Sequence, residues 1–205
     1  SSSSRGLGDV YKRQTTIFEN EKSRDHTENI LKLITNAIKI KKDKKKFILI
    51  EGKKTLNPLN IKVPGDPSSA AFFVALTLLK ENSLLKINGV GLNPTRTGFY
   101  QILKKGGASI NFFKMKKENN ENVGNILVRS SKLKPLKVSR KYYVNSTDEY
   151  PILFVIAGLT EGVSTFNGIN DLANKESNRI KEMQNVLRQV GIKSISSKDK
   201  LKIYG

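Results

Sequence analysis

Cysteine is absent from the 205 residues. That excludes disulfides and thiolate metal sites, and it fits a reducing, cytoplasmic setting. Histidine occurs once, as His26. A lone imidazole without a paired Ser or Cys supports neither a triad nor a metal site, so His26 is read as structural. No window approaches the ~20 apolar residues of a membrane span; the longest run, AAFFVALTLL at 70–79, has the length of a buried helix. GxxxxGK[ST] and GxGxxG are both missing, and the glycines of VGLNPTRTG form no phosphate loop, which argues against a nucleotide-driven enzyme. Acids are scarce: 18 Asp and Glu against 37 Lys and Arg leave a net charge of +19. That surplus suggests nucleic acid at first. Yet the cations are widely spread outside KIKKDKKK at 39–46, which is expected to be a solvated hairpin. The aromatics, only 7 % of residues, sit among aliphatic neighbours rather than between lysines as stacking platforms. Nucleic-acid binding is therefore the weaker reading.

What remains is an ordinary globular composition, 37 % hydrophobic and long enough for one or two domains with a real core. Residues 1–14 are expected to stand apart as a non-native leader. Ser1–Ser4 is low complexity, and DVYKRQ at 9–14 matches one reading frame of a common sequencing-library transposon end. They lack the pattern of a signal or transit peptide. The frame is then expected to be truncated at its N-terminus, and the strand-like ending KLKIYG carries no closing element.

Three segments share one plan of short strand, polar turn, basic residue and helix. They are TTIFENEKS with RDHTENILKLI, LLKINGVGLNPT with RTGFYQILKKGG, and STFNGINDLAN with KESNRIKEMQNVLRQVG. Arg24 and Arg96 stand at corresponding points before Ile-Leu pairs. The Asn88-Gly89 and Asn167-Gly168 turns then align Arg96 with Lys175. Between these segments lie two apolar helices announced by an acid and a proline, at Asp66-Pro67 and at Asp148-Glu149-Tyr150-Pro151. Both are apolar nearly all round and are expected to be interior. With strands at 46–52, 125–130 and 201–205, the plan is an α/β fold of repeated β-α-β-α-β-β units. PGDPSS marks a domain junction near Val63.

DLANKESNRI at 171–180 carries the most chemistry. It is expected to open an amphipathic helix with Lys175, Glu176 and Arg179 on one face, at an end whose free N–H groups favour anions. Two cations and a carboxylate there suit an anionic substrate that exchanges a proton, although a solvated first turn would look the same. Asp148 has two readings as well. It is either a helix cap or a carboxylate at the mouth of a cleft that accepts a proton from a substrate hydroxyl.

PGDPSSAAFFVA, GVGLNPTRTG, STDEYPIL and KESNR, in this order and spacing, closely resemble the 5-enolpyruvylshikimate-3-phosphate synthase family of the shikimate pathway. RDHTEN resembles the matching stretch of its glyphosate-tolerant branch. The resemblance runs from about Thr15 to Gly205. It implies transfer of the enolpyruvyl group of phosphoenolpyruvate to the 5-hydroxyl of shikimate 3-phosphate, with release of phosphate. It also implies the inside-out-barrel fold of two domains, each of three such units, here incomplete at both ends. Residues 15–62 would be the C-terminal remnant of the domain carrying shikimate 3-phosphate contacts, and 63–205 most of the second. By motif match, Asp148 would accept the hydroxyl proton, and Glu176 would donate and accept the proton at the methylene carbon. Arg24 and Lys175 would contact shikimate 3-phosphate, and Arg179 phosphoenolpyruvate. Arg96 matches a family motif without a ligand role. No cofactor, metal, nucleic acid or membrane is implied; the full-length protein would be a cytoplasmic monomer.

The usual Arg-Val-Lys-Glu-Ser-Asp-Arg reads Ala173-Asn174-Lys175-Glu176-Ser177-Asn178-Arg179 here. The family's N-terminal Lys-Ser…Arg substrate motif, its Ser-Ala-Gln or Ser-Ser-Gln motif and its C-terminal Asp-His-Arg motif do not occur, so the chain is expected to be inactive alone. One rival of the same fold is the transferase acting on UDP-N-acetylglucosamine, whose reactive cysteine would lie outside the part covered here. Another is a non-enzymatic basic nucleic-acid-binding module.

Overall fold

A computed structural model describes residues 14–20, 22–42 and 46–205; the proposed leader, except for Gln14, lies outside them. The chain divides into two units, one formed by the residues up to Val63 with Lys117–Glu121, the other by Pro64–Lys116 with Asn122–Gly205.

In the first unit the order is β1 (Gln14–Glu19), α1 (His26–Ile34), β2 (Ile38–Lys42) and β3 (Lys46–Glu51). The strands form an antiparallel sheet in the order β1-β3-β2, with Ile17 opposite Ile48 and Ile40 opposite Ile48 on the other side. Gln14, expected to belong to the leader, pairs with Glu51 instead, because the β-branched run TTI carries the ladder one residue further. The basic run at 39–46 contributes to two paired strands, with Lys42 in register with Lys46; residues 43–45 lie outside the described residues. The Lys46 ammonium sits between Glu19 and Glu28, at 2.8 and 2.7 Å.

The second unit holds, apart from Lys117–Glu121 where β5 ends and β6 begins, α2 (Pro67–Leu79), β4 (Leu84–Gly91), α3 (Gly98–Lys105), β5 (Ser109–Glu118), β6 (Glu121–Arg129), β7 (Lys137–Val138), α4 (Tyr143–Ser146), α5 (Tyr150–Gly158), β8 (Val163–Asn167), α6 (Arg179–Gln189), β9 (Lys193–Ser197) and β10 (Lys200–Tyr204). Its sheets run β4-β6-β5 and β7-β8-β10-β9. The two halves repeat one plan. Gly65 bridges Val90 in parallel just as β7 pairs in parallel with β8, and each is followed by apolar helix, strand, second helix and two strands. This is the β-α-β-α-β-β unit expected from the sequence. The two Asn-Gly turns need left-handed backbone, with φ of 67° at Gly89 and 74° at Gly168. At Gly168 a Cβ would also run into the Arg140 side chain.

The core lies where α2 and α5 meet the sheets. Ala71 and Val74 from α2, and Leu153, Phe154, Ile156 and Ala157 from α5, have no exposed surface. The Phe154 ring meets Phe166 of β8 edge to face at 4.9 Å. Burying each such large side chain contributes about 1.5–3 kcal/mol. One expectation is corrected here: α2 is not wholly interior. Phe72, Phe73 and Leu76 are 63 %, 61 % and 67 % exposed. A helix apolar on every side needs cover on every side, and in this chain the cover reaches only the face turned to α5 and β4.

Candidate functional site

The segment before α5 is wound tightly and irregularly. A 3₁₀ turn at Arg140–Tyr142 leads through α4 into a second at Thr147–Glu149, and Pro151 stands in the first turn of α5. The Ser146 hydroxyl donates to the Tyr142 carbonyl at 2.6 Å and Thr147 to that of Tyr143 at 2.7 Å, so both hydroxyls are used to hold the winding. The N-cap position of α5 falls on Glu149 and not on Asp148. The Asp148 carboxylate stands half-exposed, 4.0 Å from the Arg179 guanidinium. Arg179 in turn donates to Glu176 at 2.9 Å. Two carboxylates thus share one guanidinium.

The expected start of the amphipathic helix is corrected. Asn170–Asn174 forms a 3₁₀ turn, Lys175 is extended, and α6 begins only at Arg179. The reason is Asn178, whose side chain accepts the Lys181 N–H at 3.0 Å and so fixes the N-cap there. Lys175 and Glu176 therefore lie on the turn before the helix, not on its face. The departure from Asp to Asn at 178 keeps the cap, since both side chains offer an oxygen. Glu176 is fully exposed. Its own amide N–H, then the Arg179 guanidinium, holds its carboxyl below the usual range. Arg24 lies in the first unit, two residues before α1. His26 Nδ1 lies 2.9 Å from a Glu121 carboxylate oxygen, which also accepts from Asn29. Among the described residues no cluster of His, Asp or Glu is placed to hold a metal ion.

Two features escaped the sequence reading. The Tyr143 hydroxyl is buried without a hydrogen-bond partner among the described residues, and its ring leans on Tyr150 at 5.7 Å. Burial, then the charge of Asp171, pushes the phenol up to about 12. The second is a polar cluster that joins three of the motifs. Asp66 caps α2 by accepting from the Ser68 and Ser69 amides at 3.3 and 2.9 Å. Arg96 donates to Asp66 at 3.2 Å and to the Ser68 hydroxyl at 2.6 Å, and that hydroxyl donates to Glu149. The equivalence of Arg96 with Lys175 pointed to a repeated plan but not to this use. Glu149 is 2 % exposed, and burial raises its carboxyl above the usual range against the opposing pull of Ser68 and Arg96.

Repeated β-α-β-α-β-β units, with acids and cations gathered at helix starts, define the enolpyruvyl transferase fold. The family model for "EPSP synthase (3-phosphoshikimate 1-carboxyvinyltransferase)" matches residues 8–205, and the chain belongs to that family. It is 39 % identical over 195 residues to the 3-phosphoshikimate 1-carboxyvinyltransferase of Petrotoga mobilis, covering 95 % of this chain and 44 % of that protein. The protein of the same name from Thermodesulfovibrio yellowstonii is 40 % identical over 195 residues, at 95 % and 45 % coverage. A solved EPSP synthase from Acinetobacter baumannii superposes with a TM-score of 0.84 at 34 % identity, over 94 % of this chain and 43 % of that one. The enolpyruvyl transferase NikO from Streptomyces tendae shares the fold alone, with a TM-score of 0.63 at 15 % identity, covering 94 % of this chain and 42 % of that one. The chain spans less than half the length of the curated relatives it matches.

Proposed function

We propose that the protein this chain represents transfers the enolpyruvyl group of phosphoenolpyruvate to the 5-hydroxyl of shikimate 3-phosphate and releases phosphate. The observation that carries this reading is the single Arg179 guanidinium shared by Asp148 and Glu176. Both substrates are anions. Arg179 and Lys175 give them countercharge beside the N-terminus of α6, and Arg24, by its motif, is a contact for shikimate 3-phosphate. Glu176 delivers the proton to the methylene carbon as Asp148 takes the proton from the attacking hydroxyl. Glu176 then takes a proton back from the new methyl group as the C–O bond to phosphate breaks, which restores the enol ether and releases phosphate.

The electrostatics support that division. In the free site Glu176 is held ionised, the wrong state for a proton donor. Phosphoenolpyruvate drawing Arg179 to itself removes the cation that stabilises the charge, and brings an anion near the carboxylate. Both effects raise its proton affinity. Substrate binding thereby arms the acid. Asp148 keeps its exposed position and can accept a proton from a hydroxyl. The reaction calls for no cofactor, membrane or nucleic acid, and we place it in the cytoplasm with the full-length protein as a monomer. Because the chain spans under half of its relatives, we expect it to be inactive alone.

The test replaces the matching stretch of the Petrotoga mobilis relative with residues 15–205 and follows phosphate release. The chimera should release phosphate with shikimate 3-phosphate as acceptor and not with UDP-N-acetylglucosamine. Asp148→Asn and Glu176→Gln should each lower kcat by about 10²–10⁴-fold, the range of positioned general acids and bases. Unchanged kcat in both variants would overturn the assignment of roles.

A further inference from the structure

Glu149 follows Asp148 directly and does nothing in the reaction just described. Its position is still closely determined. The two residues share one 3₁₀ turn, where successive side chains point about 120° apart, so Asp148 stands out toward Arg179 while Glu149 turns inward. There it meets Ser68 of the first turn of α2, and Ser68 is held by Arg96, which is also bound to the α2 cap Asp66. Three distant segments thus meet on the inner side of the turn that carries the proposed base.

We propose that Glu149 is a positioning residue: held by the Ser68 hydroxyl, which Arg96 holds in turn, it sets the rotation of the 147–149 turn and hence where the Asp148 carboxylate stands. The inference rests on the reading of Asp148 given above. Its physical case is one of rigidity. A buried carboxylate costs several kcal/mol in desolvation, and an apolar residue of similar volume would hold the fold at least as well. The hydrogen bond from Ser68 is directional where an apolar contact is not. Direction matters here, because misplacing a reacting group by about 1 Å can cost on the order of 10²-fold in rate. The rest of the turn agrees: Ser146 and Thr147 tie its other side to the carbonyls of Tyr142 and Tyr143, leaving Glu149 as its inward tether. The charged groups facing Glu149 are Arg96, the Asp66 carboxylate beyond it, and Asp148 on its own turn.

The 205-residue chain itself permits the test, by NMR of the Arg179 side-chain N–H and the Asp148 carboxyl carbon. Ser68→Ala, Arg96→Lys and Glu149→Ala should each move or broaden these two signals, while the amides of the β7-β8-β10-β9 sheet stay in place. Glu149→Gln, which keeps an acceptor for Ser68, should return the Arg179 signal most of the way to its native position. In the chimera, Ser68→Ala should lower kcat, counted per folded site by circular dichroism, about tenfold with KM for phosphoenolpyruvate within about twofold. Signals of Asp148 and Arg179 that stay unmoved in both Ser68→Ala and Arg96→Lys would overturn the proposal. So would a general shift of the sheet amides in step with them, which marks a purely structural role. Phosphoenolpyruvate added to the unaltered chain separates the two ideas. Failure to perturb Arg179 would count against the substrate reading while leaving the grip on Asp148 to be judged by the variants.

Discussion

At the scale of single residues, charge state follows burial and partners rather than residue type. Glu149 and Glu176 are both glutamates, yet one is pushed above the ordinary carboxylate value by burial and the other held below it by an amide and a guanidinium. For Glu149 the raised value fixes the sign of a pH effect. The folded state holds its proton more tightly than the unfolded chain does. Its contribution to stability is therefore fully present below the ordinary carboxylate value and is lost as pH rises through the folded one. Glu149→Gln carries a neutral amide at every pH and escapes that loss. Thermal melting at about pH 4 and pH 7 should show the variant gaining on the parent as pH rises. A constant or shrinking difference would mean that Arg96 stabilises the ionised form more than burial penalises it.

Elements show where the sequence was legible and where it was not. The Asp66-Pro67 start could be read directly, because a cap and a fixed proline φ act within one turn. The same logic applied to Asp148-Glu149-Tyr150-Pro151 found α5 but left Asp148 open between cap and cleft and was silent on Glu149, which turns inward. Only long-range packing settles that, since Ser68 and Arg96 come from segments far back in the chain. The start of α6 failed for a local reason. KESNR has helical spacing, but Asn178 competes for the cap and wins, leaving Lys175 and Glu176 in the turn. Asn178→Ala should therefore cost about 1 kcal/mol, the usual worth of an N-cap. Faster hydrogen exchange at the amides of Lys181 and Glu182 should report it. If those amides keep their protection, the start of α6 is held by packing of Ile180 and not by its cap.

For the whole molecule, the two units differ in what they can hold. The second carries Asp148, Lys175, Glu176 and Arg179 together, whereas Arg24 belongs to the first. The net charge of +19 gives the chain a field that attracts anions. Apolar surface presents the opposite problem. Phe72, Phe73 and Leu76 form one exposed stripe along α2, and solvent-exposed apolar patches of this kind drive association. Charge repulsion works against it, so the balance should tip with ionic strength. The chain should remain dispersed in dilute buffer and self-associate as salt screens the lysines, with a screening length falling from ~30 Å at 0.01 M to ~10 Å at 0.1 M. Phe72→Gln with Leu76→Gln should abolish that association in light scattering without lowering the melting temperature, because neither side chain contributes to the core. If the double variant associates as readily as the parent, the contact lies elsewhere, and the exposed face of α2 is not what limits the chain in solution.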